Sequence, residues 1–324
     1  MIVLTGGAGF VGSAFLWELN LNGIDDVLVV DHLGTSEKWK NLRGLRYRDY
    51  LEKDRFLEVL NSGKLDSQIK AVFHLGACSS TTESDCSYLI QNNYEYSKTL
   101  ALHFIKRDVP FYYASSAATY GDGQQGYSDR TDIDTLRPLN MYGYSKQMFD
   151  QWILRNQLQE KVVGFKFFNV WGPNEYHKAS MRSMVVKAYE QVKKTSRVKL
   201  FKSYHPDYKD GEQMRDFVYV KDVTKMMLQF YHKPRVHGIF NLGSGQANTW
   251  LDLVNPIFKA LNMKSDVEFI EMPEELRGKY QYYTKAAMDK FSQLGFTHTQ
   301  TPLEDAVEDF VLNYLEKSAY LELS

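Results

Sequence analysis

Met1-Ile2-Val3-Leu4-Thr5-Gly6-Gly7-Ala8-Gly9-Phe10-Val11-Gly12 decides the fold of this chain. An apolar strand runs directly into closely spaced glycines, and the apolar spacing from Phe15 through Leu21 then reads as a helix. Gly6, Gly9 and Gly12 suit a tight strand-to-helix turn, a close backbone approach to a pyrophosphate, and a helix lying against its sheet. The first N–H groups of that helix would face the negative charge of a ligand. A second apolar strand, Val27-Leu28-Val29-Val30, ends in Asp31, where a carboxylate meets an adenosine ribose. The strand, glycine turn, helix and acidic strand end together predict a dinucleotide-binding βαβ unit rather than an ordinary βα turn.

The rest of the chain bounds the answer. At 324 residues it has the length for one large domain or two modest ones. With 44% apolar and 24% charged residues, the composition is that of a soluble globular protein. A formal net charge of −1 gives no reason to expect nucleic-acid binding. No apolar run approaches a membrane span, and the chain opens on its first core strand, so neither a membrane segment nor a leader is expected. Cys78 and Cys86 make neither a disulfide framework nor a zinc site, and the histidines lack metal-ligand spacing. A reducing cytoplasm and no metal are the expectations.

Strand-like runs alternate with helical patterns through the first half: Ala71–Leu75, Phe111–Ser115 and Val162–Phe168, with helices around Tyr94–Lys106 and Tyr142–Arg155. The expected class is therefore α/β, a Rossmann-type doubly wound parallel sheet with a smaller α/β substrate lobe. Beyond Gly172 the strands become short: Val198–Phe201, Phe217–Val220, Ile239–Leu242 and Val267–Ile270. The expected division gives residues 1–170 to the cofactor-binding domain, with 216–245 returning to it. Residues 171–215 and 246–324 mainly form the substrate lobe.

Tyr142-Gly143-Tyr144-Ser145-Lys146 carries the chemistry. Four apart on a helix, Tyr142 and Lys146 share a face, and an ammonium beside a phenol lowers the phenol's pKa toward neutrality. Tyr142 would then serve as acid/base for a carbinol losing hydride to a nicotinamide, and Lys146 would also bond the cofactor ribose. Such pairs also occur as plain surface contacts. Here Ser115-Ser116 follows a buried strand at the end where open α/β sheets place ligands, and a hydroxyl there can bond the reacting oxygen.

Gly6-x-x-Gly9-x-x-Gly12, the serine after the strand and Tyr142-x-x-x-Lys146 together resemble the extended short-chain dehydrogenase/reductases. Arg215-Asp216-Phe217-Val218-Tyr219-Val220-x-Asp222 resembles a segment of nucleotide-sugar epimerases and dehydratases. Three longer stretches, His74 to Glu83, Tyr113 to Gly121 and Phe168 to Lys178, are similar to the family of ADP-L-glycero-D-manno-heptose 6-epimerases, and the resemblance continues to near Leu315. It implies epimerisation at C6 of an ADP-heptose, in the synthesis of the lipopolysaccharide inner core, by hydride removal and return through bound NADP. It places the acid/bases at Tyr142 and Lys178, assisted by Ser116. Lys178 needs a pKa lowered by burial or by a neighbouring cation, for which His177 and Lys146 are candidates. Beyond the glycines, the implied cofactor contacts are Phe10, Val11, Asp31, His32, Lys38, Lys53, Leu75, Gly76, Ala77, Cys78, Ser79, Asn92, Lys146, Val170 and Lys178. Sugar or diphosphate contacts fall on Ser116, Asn169, Ser180, Lys187, Phe201, Lys202, Ser203, Tyr204, Arg215 and Tyr280.

Asp31 alone favours NAD, since a carboxylate repels a 2′-phosphate, whereas the resemblance implies NADP with Lys38 and Lys53 in support. Both cofactors remain open at this point. The resemblance also implies a homo-oligomer, a pentamer as in the family, and a small-molecule ADP-sugar as partner. Leu75 and Lys187 depart from the family pattern, and the stretch 202–214 is longer than usual. The rival readings are another nucleotide-sugar epimerase or reductase, a dehydratase, and a non-catalytic dinucleotide-binding protein. Ala117-Ala118 lacks the Asp-Glu pair a dehydratase uses after its serine or threonine.

Overall fold

Wholly buried apolar runs belong in the middle of a parallel sheet, covered on both faces. The computed structural model, which describes residues 1–63, 65–277 and 280–323, places them there. Strands β1 (Ile2–Thr5), β2 (Val27–Asp31), β3 (Asp49–Glu52), β4 (Ala71–His74), β5 (Phe111–Ser116) and β6 (Val162–Phe167) form most of the central sheet. The short β7 (Asn169–Trp171), β8 (Val198–Phe201), β9 (Met214–Arg215) and β10 (Phe217–Tyr219) lie outside it, and β11 (Gly238–Leu242) returns to it. The seven-stranded order is β11-β6-β5-β4-β1-β2-β3. Every pairing in it is parallel. The order reverses between β1 and β4, and ligands bind such sheets outside the carboxyl ends of the strands at that reversal.

Period-two alternation divides the strands between two cores. Ile2 and Leu4 of β1 and Val27 and Val29 of β2 join one cluster with Phe15 and Leu19. Val3, Leu28 and Val30 face the other, with Phe56, Leu100 and Phe104. The helices are α1 (Phe10–Leu21), α2 (Lys53–Asn61), α3 (Cys86–Leu89), α4 (Tyr96–Ile105), α5 (Met141–Arg155), α6 (Met184–Thr195), α7 (Val220–His232) and α8 (Trp250–Ala260), followed by the short α9 (Glu274–Arg277), α10 (Asp289–Gln293) and α11 (Leu303–Phe310). A π-helical stretch, Ile90–Glu95, joins α3 to α4. A third core gathers Trp171, Val185, Phe217, Leu253, Phe258 and Phe310 from the later segments. There β7 pairs β10, β9 pairs β12 (Asn248–Thr249), and β8 pairs β13 (Val267–Ile270).

Three features were not read from sequence. The edge strand β3 is polar and half exposed, so it carries little apolar signal. Strand β7 is too short for a period, and Val220, expected to end a strand, begins α7.

Candidate active site

Gly6 sits at φ +69, and a Cβ there would come within 2.5 Å of the Gly76 nitrogen. Two backbones therefore pass each other at the mouth of the β1–β4 reversal with no room for a side chain. Gly9 caps α1 without a side-chain hydrogen bond, so the N-terminal N–H groups of α1, at Phe10, Val11 and Gly12, keep their capacity for a ligand anion. The adjoining open cleft offers about 180 Å³ to a bound molecule. Among the expected cofactor residues, Gly6, Asp31, His32, Lys38, Lys53, Gly76, Ala77, Cys78 and Asn92 line it. Gly9, Phe10, Val11, Gly12, Leu75, Ser79, Lys146, Val170 and Lys178 do not. Thr5, Val30, Tyr88 and Tyr96 line it without having been foreseen. This glycine cradle fits a dinucleotide pyrophosphate.

The charges of the cleft are partnered. Asp31 accepts hydrogen bonds from the Ala8 N–H at 2.9 Å and the His32 N–H at 2.7 Å, and its other neighbour is the Lys38 ammonium at 2.6 Å. Lys53 donates to the neutral Asn92 amide at 2.7 Å, and the His32 ring meets Glu52 at 3.1 Å. Beneath the cleft, Thr5 and Ser97 hold the two ring nitrogens of His74 at 2.6 and 2.8 Å. Burial pushes His74 down to about 3, so the ring is neutral.

At the end of β5, Ser116 caps the following turn by accepting from the Ala118 N–H at 3.1 Å. Helix α5 starts under the Asn140 cap, whose side chain accepts from the Gly143 N–H at 2.8 Å. Gly143 lets the helix start press against that turn, since a Cβ there would lie 2.8 Å from the Ala118 carbonyl oxygen. Tyr142 thus meets Ser116. Burial raises the Tyr142 phenol above its ordinary pKa, and the bond with Ser116 offsets this only in part. The expected lowering by Lys146 is corrected here. The Lys146 ammonium donates to the Ala114 carbonyl at 2.9 Å, and desolvation dominates at both groups. Lys146 is itself pushed down to about 8 by burial.

Lys178 lies in a loop fixed from several sides. Asn41 donates to the carbonyls of Ala8 and Asn174 at 2.9 and 3.1 Å, tying the glycine turn to this loop. The buried Glu175 accepts from the Gly172 N–H at 3.1 Å and the Ser183 hydroxyl at 2.7 Å. The Lys178 ammonium stands 5.3 Å from the Phe10 ring at the start of α1. Burial lowers its pKa against the opposing pull of the Glu175 carboxylate, and Lys187 lowers it further. Lys187 is thus the neighbouring cation that sequence reasoning had sought in His177 and Lys146. His177 is partly buried and pushed down to about 4, leaving it neutral.

A second cavity of about 330 Å³ opens beside Tyr142. Ser116, Asn169, Arg215 and Tyr280 share its wall with Tyr142, and Thr81, Asn140, Gln281 and Thr284 were not anticipated. Arg215 is held between Trp250 and Tyr280, at 5.8 and 5.1 Å from their rings, and donates to the carbonyls of Met214 and Gln281. Asp216 anchors the segment by accepting from the N–H groups of Ser244, Gly245 and Ala286 at 2.6, 2.9 and 2.9 Å. Lys178, Ser180, Lys187, Phe201, Lys202, Ser203 and Tyr204 are not on this wall. Lys202 and Tyr204 instead engage Glu271 in an exposed cluster. Met181 brings the Lys178 loop to the cavity edge, its sulfur 3.9 Å from the Thr81 hydroxyl. Among the described residues there is no His, Cys, Asp or Glu grouping that could hold a metal ion, and no helix long and apolar enough to cross a membrane.

A glycine-lined cleft at the sheet reversal, beside a cavity holding serine, tyrosine and arginine, defines a nucleotide-binding enzyme fold. The chain belongs to the NAD-dependent epimerase/dehydratase family, whose model matches residues 2–243. It is 51% identical over 316 residues to the ADP-L-glycero-D-manno-heptose-6-epimerase of Nitratidesulfovibrio vulgaris, covering 97% of this chain and 98% of that one. Against the enzyme of the same name from Fusobacterium nucleatum it is 46% identical over 327 residues, 98% of each. The crystal structure of the Helicobacter pylori ADP-L-glycero-D-manno-heptose-6-epimerase superposes with a TM-score of 0.79 at 27% identity, over 96% of this chain and 95% of that one.

Proposed function

We propose that the protein inverts C6 of ADP-D-glycero-β-D-manno-heptose to give the L-glycero epimer, in the supply of heptose for the lipopolysaccharide inner core. The observation that carries this reading is the gathering of Ser116, Tyr142, Asn169, Arg215 and Tyr280 around one cavity next to the dinucleotide cleft. When bound, the nicotinamide supplies a reversible hydride acceptor. The protein's residues do the rest. A phenol raised in pKa rests protonated, and an amine lowered in pKa gives up its proton at lower pH than an exposed lysine, which suits Tyr142 to the acid role and Lys178 to the base role. Lys178 takes the C6 hydroxyl proton as the carbonyl forms, and Tyr142, steadied by Ser116, returns a proton to the oxygen when hydride arrives on the opposite face. Exchange with solvent then takes the proton off Lys178 and restores the Tyr142 phenol, and in the reverse direction the two exchange duties. Arg215 offers a guanidinium fork to the diphosphate, and Asn169 a donor and an acceptor to the sugar. Residues 1–170 with 216–245 bind the cofactor, and 171–215 with 246–324 mainly hold the substrate.

NADP is the proposed cofactor. Lys38 neutralises Asp31 at 2.6 Å, and Lys53, bonded to an uncharged amide, keeps its charge available for a 2′-phosphate. Lys38→Ala bares the carboxylate, and titration of each cofactor should show NADP affinity falling about 10- to 100-fold relative to NAD. An unchanged ratio would remove Lys38 from cofactor choice.

The direct test is incubation of the purified protein with ADP-D-glycero-β-D-manno-heptose, followed by chromatographic resolution of the C6 epimers. Formation of the L-glycero epimer is expected. No conversion with either NADP or NAD would overturn the assignment of substrate.

A further inference from the structure

Behind Ser116 and Lys146 lies a fully buried charged network that the proposed chemistry does not use. Asp150 has no solvent exposure. It follows Lys146 by one helical turn on α5 and accepts from the Tyr113 hydroxyl at 2.8 Å, the Ser115 hydroxyl at 2.7 Å and the Lys166 ammonium at 2.8 Å. Lys166 also donates to the Thr119 hydroxyl at 2.6 Å, and Thr119 in turn donates to the Ser116 carbonyl at 2.8 Å. The network therefore grips β5 on one side of Ser116 and its capped turn on the other. Lys146, bonded to the Ala114 carbonyl, makes the neighbouring attachment of α5 to β5.

We infer that Asp150 is a positioning residue for the reaction: clamped by Lys166, Tyr113 and Ser115, it fixes the strand end that carries Ser116 and is the counter-charge of the Lys146 ammonium. The inference rests on the roles proposed above for Ser116 and Tyr142 and on the role the family resemblance implies for Lys146 beside Tyr142, and deepens them. A plain hydrophobic pair would hold α5 against β5 at least as firmly, because burying two charges costs desolvation. A buried carboxylate one turn from an amine adds what packing alone does not, a fixed negative potential. The groups that act on Lys146 are Asp150 on its own helix, the Cys78 thiol and the neutral His74 of β4. Asp150 is the strongest influence holding the Lys146 pKa up against burial.

Asp150→Asn keeps the shape and removes the charge. The first readout is independent of turnover: trace acetylation of the protein across a pH series, read by mass spectrometry at the peptide containing Lys146. The second is the alkaline limb of kcat. Both midpoints should move to lower pH by about one unit in Asp150→Asn, because neutral Lys146 then forms earlier. Ser115→Ala deletes a hydrogen bond of the same carboxylate without deleting its charge, and both midpoints should stay in place. If Asp150→Asn does not fold, Asp150→Asn with Lys166→Met replaces the pair without leaving a lone buried charge, and the same shift is expected. A folded variant with wild-type midpoints overturns the inference, as does failure of both variants to fold, which would assign Asp150 to stability alone. Full activity in Tyr142→Phe would instead overturn the underlying mechanism, so the two failures are distinguishable.

Discussion

Replacing Tyr142 with Phe lowers epimerisation about 10²- to 10⁴-fold, the range set by loss of a positioned proton donor. The loss should fall on kcat. Tyr142 stands on the wall of the substrate cavity and not on that of the dinucleotide cleft, so cofactor affinity should hold within about twofold. Packing should survive as well, because the ring remains and only the hydroxyl that meets Ser116 is lost. Steady-state rates with the ADP-heptose, beside a fluorescence titration of the dinucleotide, separate these terms. A variant that turns over at near wild-type rate would exclude the phenol from proton transfer. The pH dependence has a defined sign. Burial holds Tyr142 above its ordinary value, so the donor form persists through neutrality, while Lys146 at about 8 sets a loss of activity on the alkaline side.

Lys178→Met carries the second large effect. One proton-transfer group serves one face of the C6 carbonyl, so its removal blocks formation or use of that face. The net epimerisation rate should fall about 10²-fold or more in both directions. Burial and Lys187 lower the Lys178 pKa, so neutral amine is present at lower pH than for an exposed lysine. Lys187→Gln removes the neighbouring cation and should move the acid limb of the wild-type profile to higher pH. Rates in each direction, measured by chromatography from each epimer, check both changes. Unaltered rates in Lys178→Met would assign the ammonium to binding alone. The loop around Lys178 bears on this outcome: Asn41, Asn174 and Glu175 hold it against the glycine turn, so loss of the lysine need not disturb its path.

The glycine turn was legible because its constraint is local. Gly6 must pass Gly76 without a side chain, and the strand before it and the helix after it each have their own period. The same holds for Tyr142 and Lys146, which one helical turn places together whatever the rest of the fold does. Arg215 and Asn169 came through resemblance, and the cavity brings both to Tyr142. Lys202 and Tyr204 came the same way, yet their nearest partner is Glu271 at the surface.

By itself the sequence determined the buried parallel strands, the dinucleotide turn and the Tyr–Lys helix, since each rests on hydrophobic period or backbone sterics within a short stretch. Tertiary structure alone decided the charge state of those groups and what braces them. Asp150 finds Lys166, Tyr113 and Ser115 only because α5 packs across β5 and β6, and Asn41 reaches Asn174 only because the glycine turn meets a distant loop. Desolvation depends on everything that surrounds a side chain, and no spacing along the chain encodes it. That is why Lys146 was expected to lower the Tyr142 pKa, and why burial, set by the assembled fold, raises it instead.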